Sequence, residues 1–94
     1  KPIKRVSFEK IINISHSINK EKGRDMITIE TADRPGLLID IAKVFFKQDI
    51  SIYSSRINTL GDKVEDTFEI ENKDKAKISS IKRNKIIKAL EEVV

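Results

Sequence analysis

At residue 36 the apolar residues of this chain change their period, and that change restricts the possible folds more than any other feature. Met26 to Thr31 is β-branched and alternating, with Ile27 and Ile29 on one face and Thr28 and Glu30 on the other. Such alternation predicts a half-buried strand. Beyond Gly36, Leu38, Ile41, Ala42 and Phe45 fall at i, i+3, i+4 and i+7 with Leu37 and Val44 flanking, which predicts an amphipathic helix of about three turns. Only Asp33-Arg34-Pro35-Gly36 separates the two patterns. Pro35 suits the first turn of a helix, and Asp33 offers a side-chain oxygen to the unpaired N–H groups there.

Alternation returns from Ile50 to Asn58 and again from Lys63 to Glu71, where Val64, Phe68 and Ile70 point one way and Lys63, Glu65 and Glu69 the other. The short Gly61-containing segment between them predicts a hairpin. With Leu60 to Asp62 as the loop, Ile52 falls opposite Ile70, Ser54 opposite Phe68 and Arg56 opposite Asp66. That register gives the Asp66 carboxylate a partner on an otherwise apolar face. Asn72 to Lys77 is polar and reads as a loop. Ser79 or Ser80 can cap a second helix, whose stripe is Ile86, Ala89, Leu90 and Val93.

The first 25 residues are less regular. Val6 and Phe8 alternate like a strand that Ile11, Ile12 and Ile14 extend, and Lys20-Glu21-Lys22-Gly23 reads as a turn. The order is strand, strand, helix, strand, strand, helix. Its economical packing is an α+β sandwich of ferredoxin-like appearance, a four-stranded antiparallel sheet with two helices on one face. Residues 1–94 form a single domain, with 1–25 as N-terminal strand and connection and 26–94 as core and C-terminal helix.

Composition removes several classes of function. The 94 residues contain no Cys, which excludes disulfides, thiol nucleophiles and Cys zinc sites and fits a cytoplasmic setting. No apolar run approaches the roughly 20 residues of a membrane span. The net charge of +4 at first suggests nucleic acid. Divided along the chain it is +4 for residues 1–25, −4 for 26–71 and +4 for 72–94, so the organised middle is acidic. Of the aromatic residues Phe8, Phe45, Phe46, Tyr53 and Phe68, two lie on core faces, and a base-stacking sheet is not expected.

Among candidate sites, the helix start after Asp33 is the most informative. Free N–H groups and the positive end of a helix dipole receive a carboxylate, and Gly36 lets the backbone approach a ligand closely. His16 between Ser15 and Ser17 lacks an evident acid partner, and a single His makes no metal site. Lys73, Lys75 and Lys77 read as a solvated loop. Lys82, Arg83, Lys85 and Lys88 form a basic helix face suited to solvent or to an acidic surface.

The strand, the Asp33-Arg34-Pro35-Gly36-Leu37-Leu38 junction, the helix and the following strand pair resemble an ACT domain. The segment Ile57-Asn58-Thr59-Leu60-Gly61-Asp62-Lys63-Val64-Glu65-Asp66-Thr67-Phe68 matches I-x-T-x-G-x-x-V-x-D-x-F, and with it the chain is similar to the C-terminal ACT domains of the bacterial PII uridylyltransferase family. The resemblance implies a regulatory module without catalytic residues, cofactor or metal, in a parent enzyme that uses Mg for nucleotidyl transfer. It implies a small amino acid as ligand, glutamine in that family, and partnership with a second ACT domain by side-by-side sheet pairing and with catalytic domains of the same chain. Nucleic acid and membrane are not expected as partners. Carried over, the ligand-binding positions are Asp33, Arg34, Gly36, Leu37, Leu38 and Ser51. Asp33 takes the amino group, Gly36 to Leu38 present N–H to the carboxylate, and Ser51 stands where related domains often carry Asn.

Overall fold

The computed structural model describes residues 12–94. Six elements follow in chain order: β1 (Asn13–Ile18), β2 (Asp25–Ala32), α1 (Leu37–Lys47), β3 (Ile50–Leu60), β4 (Lys63–Asn72) and α2 (Ser80–Val93). The strands form one antiparallel sheet in the order β1-β2-β4-β3, with both helices on one face. This is the ferredoxin-like α+β arrangement expected. The strand expected around Val6 and Phe8 lies outside the described residues. Within them, β1 takes in Ile14 but continues to Ile18 through the polar Ser15-His16-Ser17.

Alternation decides which face each strand residue takes. Ile27, Ile29 and Thr31 of β2 and Val64, Asp66, Phe68 and Ile70 of β4 turn towards the helices and are buried. Against them α1 sets Leu37, Ile41, Val44 and Phe45, while α2 sets Ile86 and Leu90. The buried stripe of α1 is thus rotated from the expected one. Leu38 is 44% exposed and Ala42 is also exposed, because Leu37 and Val44, rather than flanking the stripe, are part of it. In α2 Ala89 and Val93 are partly buried, and Ser79 Oγ accepts from the Lys82 N–H at 3.1 Å, as a cap should. Phe45 and Phe68 join helix to sheet with ring centroids 5.4 Å apart.

The hairpin departs from expectation in an instructive way. Leu60 pairs with Lys63, so its loop is only Gly61-Asp62, with Gly61 at φ 69°. A positive φ at the first of two loop residues is what Gly tolerates and what a tight hairpin turn requires. The shorter loop shifts the register by one, setting Ile57 opposite Asp66, Ser55 opposite Phe68 and Arg56 opposite Thr67. An irregularity between Ile52 and Ser54 absorbs the shift and restores Ile52 to Ile70. The extra residue is Tyr53, on whose ring the Arg24 guanidinium lies 3.4 Å from the centroid.

Candidate functional site

The β2–α1 junction does not cap itself in the expected manner. α1 begins at Leu37, its N-cap is Gly36 at φ 78°, and no side chain hydrogen-bonds there. Asp33 instead continues the sheet, its N–H donating to the Asp62 carbonyl at 2.9 Å, and Pro35 lies in the turn before the helix. The Leu37 N–H donates to the Arg34 carbonyl at 3.3 Å, and the regular ladder begins with Asp40 N–H to Gly36 O at 3.0 Å. The N–H groups of Leu38 and Ile39 are therefore left at the open helix end. Because Asp33 does not cap, both its carboxylate and these donors are available to a ligand.

Arg34 also holds the two helices together. Its Nη2 donates to Asp40 Oδ2 at 2.8 Å and to the Val93 carbonyl, fastening the start of α1 to the last turn of α2. The pair with Asp40 is over a third exposed on both sides and adds little, whereas a charged donor at a helix C-terminus satisfies a carbonyl and opposes the negative dipole end. We expect Arg34→Ala to lower stability by about 1–2 kcal/mol in urea unfolding, and Arg34→Lys to restore only part, since a single ammonium cannot reproduce the fork. A loss no larger than that of an ordinary surface substitution would contradict this role.

A cavity of about 440 Å³ opens beside the junction. Its volume falls within the roughly 300–1,000 Å³ of small-molecule sites. Asp33, Gly36 and Leu37 bound it on one side; Leu38, Ile39, Ile57 and Val64 give it apolar walls; Thr59 and Asp66 reach it from the hairpin. Of the six positions carried over from the resemblance, five line this space and Ser51 does not. Ser51 pairs with Glu71, at the far end of β3 from Thr59.

Asp66 is the residue that sequence reasoning placed wrongly. Arg56 faces the opposite side of the sheet, so the expected ion pair does not form. The Asp66 side chain is buried, 1% exposed, and Oδ1 has no hydrogen-bond partner. Burial raises its carboxyl above the ordinary range, and the Asp33 charge raises it further. Thr31 Oγ1 shares this condition among the described residues, and Thr31 pairs with Val64, diagonal to Asp66 on the same face. Buried orphaned polar groups are rare and call for an explanation.

Glu69 shows what a satisfied carboxylate looks like on the other face of the same strand. It accepts from Asn19 Nδ2 and Arg24 Nη1, each at 2.9 Å, and these partners hold it below the usual carboxylate range. Asp66 has no such partner among the described residues, since Arg34, which lines the same cavity, is engaged by Asp40 and the Val93 carbonyl. His16, for which no acid partner was evident, has one: Nε2 lies 2.6 Å from Asp25 Oδ2 across β1 and β2. The pair is away from the cavity and bridges the two strands. Among the described residues no three His, Asp or Glu side chains cluster as a metal site, and no helix is long and apolar enough to cross a membrane.

Comparison with known proteins adds sequence and fold relatives. No protein-family model matches the chain. The bifunctional uridylyltransferase/uridylyl-removing enzymes of Psychrobacter cryohalolentis and Psychrobacter arcticus are 32% and 33% identical to it, over 88% and 90% of its length. The enzyme of the same description from Thiobacillus denitrificans is 44% identical over 56% of the chain. The match spans about 9% of the length of the two Psychrobacter relatives and 6% of the third. A crystal structure of an unknown protein from Galdieria sulphuraria superimposes with a TM-score of 0.58 at 23% identity, covering 73% of this chain and 37% of that one, which supports the fold. Over most of its length the chain is thus homologous to a domain-sized segment of the bifunctional uridylyltransferase/uridylyl-removing enzymes, with the ferredoxin-like architecture and the junction motif of an ACT domain.

Proposed function

We propose that this chain is an amino-acid-sensing regulatory module of a cytoplasmic enzyme that uridylylates and deuridylylates a PII protein, and that glutamine is its effector. The observation that carries the reading is the uncapped helix start at Gly36, with free Leu38 and Ile39 N–H groups beside the Asp33 carboxylate and an apolar-walled cavity. A zwitterion needs donors for its carboxylate and an acceptor for its ammonium, and the junction presents both. The apolar walls then take the methylenes of the side chain. Catalysis, and the Mg it uses, belong on this reading to other domains of the parent, with the effector altering how this module docks on them.

Titration calorimetry of glutamine into the protein tests the reading. Heat of binding that vanishes in Asp33→Ala supports it, and the absence of binding to the unsubstituted protein contradicts it. A second reading, pairing without sensing, rests on β3. That edge strand is 11 residues long, with Ile57 and Leu60 half exposed, and an edge of this kind adds readily to another sheet. Side-by-side pairing would also bring the partner's β3 alongside, giving Ser51 a route to an interfacial site. Pairing that persists while glutamine has no effect would favour this second reading.

A further inference from the structure

We propose that Asp66, together with Asp33, forms a two-carboxylate ammonium site that makes the cavity selective for amino acids over deaminated molecules of the same skeleton. The inference rests on the amino-acid reading above and adds a residue and a basis of discrimination to it. Three observations converge on Asp66. It lines the cavity, it is only 1% exposed, and its Oδ1 has no partner among the described residues. A carboxylate in that position is costly to leave bare, and the cost is relieved by a cation delivered from the cavity side.

The charged groups around the cavity are Asp33 and Arg34 from the β2–α1 junction and Asp66 from β4; β3 and the lining part of α1 contribute none. Arg34 is occupied by Asp40 and the Val93 carbonyl. What remains is a pair of acids whose mutual repulsion disfavours two bare charges at once. A divalent cation prefers six or more oxygen ligands, and this cavity has apolar walls where those ligands would have to be. A primary ammonium needs only three acceptors, and its three N–H donors match two carboxylates and a neighbouring oxygen such as Thr59 Oγ1. Its carbon skeleton then lies on Ile57 and Val64 while its own carboxylate reaches the N–H groups at the helix start.

The same pair rejects what lacks the amine. A keto acid or a deaminated analogue brings a negative charge without the positive one, and leaves Asp66 as unsatisfied as before. This is discrimination by an unpaired buried group, a mechanism that separates analogues more sharply than shape does.

The test compares glutamine with glutaramate, which is glutamine without its α-amine, by calorimetry on the unsubstituted protein and on Asp66→Asn. Circular dichroism and the unfolding midpoint establish that the near-isosteric variant is folded. The unsubstituted protein is expected to bind glutamine at least about 30-fold more tightly than glutaramate, and Asp66→Asn to lose about 30-fold for glutamine while binding glutaramate no more weakly. If Asp66→Asn binds and discriminates like the unsubstituted protein, or if the unsubstituted protein does not discriminate, the role of Asp66 is overturned while the amino-acid reading stands. If the unsubstituted protein binds no glutamine at all, both are overturned.

Discussion

Phe45→Ala is expected to cost about 3–5 kcal/mol, which is most of the stability of a domain this small. Phe45 is fully buried, in the α1 stripe with Ile41, and its ring is tilted 58° against that of Phe68 on β4. Removing it deletes both the transfer free energy of the ring and its tilted contact with the Phe68 ring. It also leaves a void that Ile41 and Phe68 cannot close, since each is held by its own backbone element. Since a 60–100-residue domain shifts by roughly 4–8 °C per kcal/mol, the midpoint should fall by about 12 °C or more. Phe45→Leu, which keeps most of the volume, should lose less than half of that. Phe46→Ala provides the contrast: its ring is 69% exposed, with Lys73 Nζ 4.7 Å from its centroid, and its loss should scarcely be felt. Equal losses at 45 and 46 would mean that the helix packs with a different face.

Asp66→Asn should raise the stability of the ligand-free protein near neutral pH by about 1 kcal/mol, a reversal of what most buried substitutions do. The raised carboxyl means that the folded state binds a proton more tightly than the unfolded state. Asp66 therefore withholds stability while it is ionised, above its raised folded value. It returns that stability as pH falls through this value, and the return is complete below the usual aspartate value of about 3.9. Glu69 and Glu71 act with the opposite sign, because hydrogen bonds from Asn19 and Lys75, aided by Arg24, lower their carboxyls, and their contribution is lost on acidification. Comparison of the variant with the unsubstituted protein cancels those groups. The difference in urea midpoint should favour Asp66→Asn at pH 7 and shrink steadily as the pH is lowered. A difference that grows on acidification would contradict a bare Asp66.

Most of the architecture was legible because it depends on period. Ile27 and Ile29 alternate, Ile41 and Phe45 recur at helical spacing, and a two-state pattern of this kind leaves few ways to bury both faces. The register of the β3–β4 hairpin was not legible, because it depends on one residue of loop length. Leu60 can sit in a three-residue loop or pair with Lys63, and nothing in its side chain decides between them. That single choice moved Arg56 to the far face and left Asp66 alone. The junction motif likewise marked where the cavity opens without showing how it is built. Arg34 was expected at the site and does line the cavity, but its reach to Val93, 59 positions along the chain, is set by how the two helices pack. The signal for Asp66 was present as an acid at an inward position between Val64 and Phe68, and treating it as already satisfied hid its meaning.

Reception of an amino acid's carboxylate at the open start of α1 is tested by an amide-resolved nuclear magnetic resonance titration with glutamine. The largest shifts are expected at the Gly36, Leu37, Leu38 and Ile39 amides, accompanied by Ile57, Thr59 and Asp66 across the cavity, with saturation at one equivalent per site. Saturable shifts concentrated elsewhere, or no shifts at these amides, would contradict it.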